Sequence, residues 1–309
     1  MPISIISQGR NISPWVKALK ENRPDLDLRV YPEDHPREEI TFALAWGHPP
    51  GVLQEYPNLI CVSSLGAGVD HILKDPDIPE QAQVVRIKDE NLTSDMANFT
   101  MALVLNHLRN LHQHKAAEST QTWQPLKYKR NEEVTVGVMG IGALGLAVAQ
   151  RLNSIGLRVT GWANSSKQLE NIQVHAGPEE LDAFLATAEV LICLLPLTPE
   201  TANILNKENL LKLPQGAYVI NVARGEHLVE EDLLELLDNG HLSGASLDVF
   251  REEPLPEGHP FWSHPKINVT PHIASVTNPA SAVGLILENY DRLQNGEPLL
   301  NLVSRTKGY

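Results

Sequence analysis

The segment that most restricts the fold is Gly140-Ile141-Gly142-Ala143-Leu144-Gly145. A G-x-G-x-x-G run is a weak signal by itself, because glycine is common. Here it follows the apolar run Glu133–Met139, expected as a strand, and opens a stretch in which Leu144, Val148, Leu152 and Ile155 share one helical face. Each glycine then has a physical reason. Gly140 permits the tight turn, Gly142 lets a pyrophosphate approach the backbone, and Gly145 lets the helix pack close to the strand. The free N–H groups at the helix start, around Ala143 and Leu144, offer that phosphate donors and a partial positive charge.

Short β-rich runs alternate with helical stretches on both sides of this motif, which argues for parallel βαβ units and an α/β fold. Strands are expected at Ile3–Ser7, Leu28–Tyr31, Phe42–Trp46, Leu59–Ser64 and Val84–Arg86, with a helix at Pro14–Glu21. A long helix is expected from Asp95 to Leu111, with Thr93 and Ser94 offering N-cap oxygens and Met96, Phe99 and Leu103 on one face. Gln113–Arg130 reads as an exposed connection. After the glycine motif, strands are expected at Leu157–Trp162, Val190–Leu195, Ala217–Val222, Gly244–Phe250 and Lys266–Thr270, and helices at Val229–Asn239 and Ser281–Asn295. Gly156 and Gly240 stand where a C′ glycine stops a helix. A chain of 309 residues exceeds what one core comfortably holds, so two domains are expected.

Apolar residues make up 42% of the chain and charged residues 20%, so it should fold rather than stay disordered. A net charge of -13 gives no global attraction for nucleic acid or an anionic membrane surface. An anionic ligand would need a local cation set against that field. The two cysteines, Cys61 and Cys193, lie in apolar runs and read as core residues of a protein in a reducing compartment. There is no charged leader and no run near the ~18 apolar residues that span a bilayer, so the cytoplasm is the expected location.

In many NAD-binding chains an acid about 20 residues beyond the glycine motif binds the ribose 2′-hydroxyl. This chain reads Gly161-Trp162-Ala163-Asn164-Ser165-Ser166-Lys167 there, with no carboxylate. Asn164, Ser165 and Ser166 could bond a 2′-phosphate and Lys167 adds charge, so NADP(H) is expected to be preferred over NAD(H). Three chemical groups stand at or just past expected strand ends, where ligands bind in open parallel sheets: Arg224, Glu253 and His272. Reduction of a 2-oxo acid needs these three types. An arginine fork holds the carboxylate, a histidinium protonates the forming alkoxide, and a carboxylate orients the histidine and favours its charged form. His112 and His114 resemble a metal pair, but i,i+2 side chains on a helix point apart, and no metal site is expected.

Asn221-Val222-Ala223-Arg224-Gly225, Leu247-Asp248-Val249-Phe250-Arg251-Glu252-Glu253-Pro254-Leu255 and Thr270-Pro271-His272-Ile273-Ala274-Ser275 resemble, in order and spacing, the signatures of the D-2-hydroxyacid dehydrogenase family. Leu194-Leu195-Pro196-Leu197-Thr198-Pro199-Glu200-Thr201 fits as well, and the likeness spans nearly the whole chain. It implies two Rossmann-like domains, a flavodoxin-like substrate domain (residues 1–97 and 278–309) and a dinucleotide-binding domain (98–277), with a cleft between them and a homodimer. It implies Arg224 as the substrate arginine, His272 as acid/base and Glu253 as its partner. Asp248 would contact the nicotinamide carboxamide, and Leu195, Pro196, Val222 and Ala223 would line the dinucleotide. Backbone N–H groups of Gly66, Ala67, Gly68 and Val69 would cradle the substrate carboxylate, with Trp46 walling the pocket. Leu65-Gly66-Ala67-Gly68-Val69-Asp70, Gln124-Pro125-Leu126 and Gly308-Tyr309 point to the branch that reduces glyoxylate and hydroxypyruvate. A dehydrogenase for a bulkier acid such as phenylpyruvate, or a dinucleotide-sensing binding protein, are the alternatives. Two departures from that branch are Asn164 and Ser166 where arginines are expected, and an extra Gly47 between Trp46 and His48.

Overall fold

Strands of three to six residues carry the architecture, and every pairing between them is parallel. Parallel strands are covered by helices on both faces and so read as continuous apolar runs rather than alternating ones. That is why LICVSS and VLICLLP read as strands from the sequence. The computed structural model describes residues 1–308, and Tyr309, named above with Gly308, lies outside them.

The chain divides into two compact units: Met1–Leu92 with the chain from Val276 onward, and Thr93–Ser275. Unit 1 holds β1 (Ile3–Ser7), β2 (Leu28–Val30), β3 (Phe42–Trp46), β4 (Cys61–Ser64) and β5 (Gln83–Val85), in the order β2-β1-β3-β4-β5. Ile3 and Ile5 turn one way, onto Trp15, Leu19, Ile286 and Tyr290 of the helices Ser13–Asn22 and Pro279–Gln294. Ile6 turns the other way, towards Leu53, Tyr56 and Val62. Each such fully buried side chain contributes about 1.5–3 kcal/mol.

Unit 2 holds β6 (Thr135–Met139), β7 (Arg158–Ala163), β8 (Gln173–Ala176), β9 (Val190–Cys193), β10 (Ala217–Asn221), β11 (Leu242–Leu247) and β12 (Ile267–Val269). Their order is β12-β11-β10-β9-β6-β7-β8. Val148 and Leu152 of the helix Ala143–Ser154 cover one face, and Phe184, Leu233 and Leu236 the other. In both sheets the strand order reverses beside the first strand, between β1 and β3 and between β6 and β9. Loops leaving the carboxyl ends of those strands diverge and open a place for a ligand. Both units are therefore Rossmann-like α/β layers, unit 1 in the flavodoxin-like order.

Three expectations change. The long helix begins at Glu90 and ends at Leu108, because Asp89 caps it: its carboxylate accepts the Leu92 N–H at 3.1 Å, and Thr93 and Ser94 lie inside the first turns. Part of the expected connection is a second helix, Leu111–Ser119, which has no buried residue and so left no apolar stripe to read. The edge strand β8 was not foreseen, since it is four residues long and only His175 in it is buried. Among the described residues no helix is long and apolar enough to cross a membrane.

Candidate active site

The glycine turn leaves β6 at the switch point of unit 2. Gly140 has φ +98°, and a Cβ there would lie 2.7 Å from the Leu194 carbonyl oxygen. Gly145 is tighter, since a Cβ would sit 1.8 Å from the Gly140 oxygen. Gly142 differs from both: a Cβ would meet nothing within 4 Å. Its place on the surface is open, as a backbone approached by a ligand requires. Gly142 is the N-cap of the helix Ala143–Ser154 and no side chain caps that end, so the first N–H groups, beginning at exposed Ala143, have no capping partner. Leu195 and Pro196 follow β9 on the other side of the switch point, with the Leu194 N–H donating to Met139 O at 2.8 Å. These residues fit a dinucleotide pyrophosphate.

At the end of β7, Asn164, Ser165, Ser166 and Lys167 are all exposed. The Lys167 ammonium donates to the Ile141 carbonyl of the glycine turn. The lysine and the turn are thus neighbours in space, and a phosphate held beside Asn164 and Ser165 would meet a cation.

The chemical groups stand on loops leaving β10, β11 and β12. Buried Asn221 clamps the first loop: its amide donates to Arg224 O at 2.9 Å and its oxygen accepts the Ala223 N–H at 3.2 Å. Val222 and Ala223 are buried, while Arg224 is half-buried and its Nη1 donates to Ala223 O at 2.6 Å. Gly225 must be glycine, because a Cβ would lie 1.9 Å from the Phe250 carbonyl carbon. That contact locks the arginine loop onto the loop after β11.

His272 and Glu253 meet as the sequence implied. Nδ1 of His272 lies 2.7 Å from Glu253 Oε2, and the other carboxylate oxygen accepts the Phe250 N–H at 3.0 Å. Burial pushes the Glu253 carboxyl up, but the His272 hydrogen bond, the Phe250 N–H and the charges of His272 and Arg224 outweigh it and hold the carboxyl below its ordinary value. Glu253 is therefore a carboxylate that fixes the ring through Nδ1 and leaves Nε2 for a reacting atom. His272 has φ +53°, a left-handed conformation that costs a non-glycine residue of order 1–3 kcal/mol and persists where neighbours over-determine it. The neighbour here is Asp248, buried at the end of β11. Its carboxylate accepts the Thr270 hydroxyl at 2.6 Å and the N–H groups of Ile273 at 3.0 Å and Ala274 at 2.8 Å, and its carbonyl accepts the His272 N–H at 2.8 Å.

Unit 1 carries the other residues singled out above. Trp46 ends β3, with the His71 ring 4.6 Å from its own and the Arg10 guanidinium 4.7 Å above it. Gly66 makes room for it: a Cβ would lie 2.4 Å from Trp46 Cζ3. The extra Gly47 takes φ +55° directly after Trp46, which keeps its place in the β1–β3 register opposite Ser7. Ser64 shapes the turn after β4. Its Oγ accepts the Gly66 N–H at 3.1 Å and donates to Gly68 O at 2.7 Å. The N–H groups of Ala67, Gly68 and Val69 have no acceptor among the described residues. Sequence reasoning missed Ser64 and gave no individual role to Asn221, Gly225 and Thr270, which work through partners that the fold brings near.

Two parallel sheets, a glycine turn at a switch point and a carboxylate-backed histidine define a nucleotide-binding α/β protein equipped for acid–base chemistry. The chain belongs to the D-2-hydroxyacid dehydrogenase family: residues 101–274 match the D-isomer specific 2-hydroxyacid dehydrogenase NAD-binding domain. It is 39% identical over 306 residues, 97% of each chain, to glyoxylate/hydroxypyruvate reductase A of Serratia proteamaculans. Among solved structures it is similar to a D-isomer specific 2-hydroxyacid dehydrogenase of Xanthobacter autotrophicus Py2 in complex with NADPH and MES (TM-score 0.95, 39% identity, 100% of this chain and 99% of that one). An NADPH-dependent glyoxylate/hydroxypyruvate reductase of Sinorhizobium meliloti in complex with NADP and sulfate gives TM-score 0.93 at 34% identity, over 100% and 99% of the two chains.

Proposed function

We propose that the protein reduces glyoxylate and hydroxypyruvate to glycolate and D-glycerate with NADPH. The observation that carries this reading is the His272–Glu253 pair at 2.7 Å on the same sheet edge as Arg224. Two reductases named for these substrates, one of them also for NADPH, are similar to it over nearly the whole chain.

The dinucleotide, when bound, supplies the hydride for the carbonyl carbon. Gly140, Gly142, Ala143, Leu144 and Gly145 hold its pyrophosphate, Leu195, Pro196, Val222 and Ala223 line it, and Asp248 meets the carboxamide. Asn164, Ser165 and Lys167 take the 2′-phosphate, with NADP(H) preferred over NAD(H). The Arg224 guanidinium grips the substrate carboxylate through two parallel N–H bonds and polarises the adjacent carbonyl. On unit 1, the turn Gly66, Ala67, Gly68 and Val69, with the open N–H groups of its last three residues, is assigned to substrate carboxylate binding, and Trp46 to limiting the side chain to at most one carbon. His272 Nε2 gives its proton to the carbonyl oxygen as that oxygen becomes an alkoxide, and Glu253 stabilises the imidazolium beforehand. In this assignment unit 1 is the substrate domain and unit 2 the dinucleotide domain.

The protein is also proposed to act as a homodimer in the cytoplasm. Leu111, Trp123 and Tyr128 support the dimer, being 55%, 98% and 58% exposed within residues 111–128 of unit 2. Two free buried thiols suit a reducing compartment.

The test is steady-state oxidation of NADPH and NADH in parallel with glyoxylate, hydroxypyruvate, pyruvate and phenylpyruvate. Fast turnover of the two short acids, better with NADPH, is expected. A preference for phenylpyruvate would move the substrate to the bulkier class, and dinucleotide binding without turnover would replace the enzyme by a sensor.

A further inference from the structure

One side chain outside the assigned site ties two of its loops together. His227 stands at the end of the short 3-10 turn Gly225–His227 and is fully buried. Its Nδ1 lies 3.1 Å from Arg224 O and its Nε2 3.3 Å from Pro196 O. The first carbonyl belongs to the substrate arginine and the second to the loop after β9 that lines the dinucleotide. A neutral imidazole has one N–H and can serve one of these carbonyls, whereas the protonated ring serves both. Burial pushes this imidazole down, but the Cys193 thiol at the end of β9 and the two carbonyls outweigh it and hold the ring above its ordinary value. The backbone on either side is fixed as well, since Leu205 N–H donates to His227 O at 2.8 Å.

We propose that His227 is a positioning residue for the reduction: through both ring nitrogens it staples the Arg224 loop to the Pro196 loop, and so sets where the guanidinium stands relative to the bound dinucleotide. The inference rests on Arg224 being the substrate arginine. Being fully buried, His227 acts through these two carbonyls. Asn221 holds Arg224 O independently at 2.9 Å, so loss of the ring shifts the loop rather than unfolding it.

The experiment compares wild type, His227→Phe and His227→Gln in NADPH affinity and in KM and kcat for glyoxylate, with nitrogen-15 NMR of the wild-type ring. Two ring N–H signals at neutral pH are expected from the histidine that is absent in the variants. A shift of the loop on the order of 1 Å should raise KM for glyoxylate about tenfold or more in His227→Phe, with NADPH affinity changed less than about threefold. The amide of His227→Gln, which can reach one carbonyl, should recover part of that loss, and this variant decides the matter if His227→Phe does not fold. A folded variant with wild-type KM, or equal losses in NADPH affinity and KM, would overturn the staple. Should wild type reduce none of the acids, the proposed function fails, while a single ring N–H signal fails the staple alone.

Discussion

The two sheets reverse their strand order in the same way, at β1/β3 in unit 1 and at β6/β9 in unit 2, but their carboxyl edges are furnished differently. The unit 1 edge offers open backbone N–H groups at Ala67–Val69 and an aromatic wall, Trp46, kept in place by Gly66, His71 and Arg10. The unit 2 edge offers side chains, Arg224, whose loop is held by buried Asn221 at its own start, and His272, whose loop is held by buried Asp248 at the end of the neighbouring strand. Topology supplies a place for a ligand twice over. In the proposed reaction the loops divide the work, one place recognising shape and charge and the other moving protons.

This contrast can be broken by substitution. The largest effect expected after loss of the histidine itself is at Arg224. Arg224→Ala removes a charged partner of the substrate, at ~2–5 kcal/mol, so kcat/KM should fall roughly 30-fold to 5 × 10³-fold while NADPH still binds. A fall confined to KM for NADPH would move Arg224 to the dinucleotide. Asp248→Asn comes next. An amide nitrogen cannot accept the N–H groups that hold the His272 loop, so stability should fall by about 1–3 kcal/mol and kcat by up to about 10²-fold, checked by thermal melts and single-turnover rates. Unchanged kcat would show that the loop keeps its shape without the carboxylate.

Gly66→Ala probes the other edge. Its Cβ would press on Trp46, an overpacking that costs roughly 1–3 kcal/mol, and should raise KM for glyoxylate with kcat nearly unchanged. An equal drop in kcat would erase the distinction between the edges. The smallest effect is acid sensitivity. Glu253 is held below its ordinary value near 4.5, so its contribution to stability is full above that pH and fades as pH falls through the lower folded-state value. Glu253→Gln should therefore flatten the acid limb of the melting temperature against pH. An unaltered limb would show that the carboxylate is not engaged in solution.

Much of this was legible in the sequence because it rests on local rules. Gly140, Gly142 and Gly145 announced a turn whose geometry only glycine meets, and all-apolar runs announced doubly covered strands. The order of Arg224, Glu253 and His272 placed each on a strand-end loop. What the sequence hid works at long range. Asp248 grips residues 22 to 26 positions away, and His227 reaches Pro196 across 31. Ser64 and Asn221 act through backbone atoms, which leave no mark on residue identity. The helix Leu111–Ser119 and β8 were missed because neither buries a face that could impose periodicity.

In the proposed reaction His272, with Glu253 behind it, moves the proton. The most direct measurement is single-turnover reduction of glyoxylate by NADPH-loaded wild type and His272→Ala, with NADPH affinity measured on both. A loss of about 10²–10⁴-fold in the chemical step with affinity unchanged is the expected result. A variant that binds NADPH and turns over within a few-fold of wild type would contradict it and send the search for the acid elsewhere on the sheet edge.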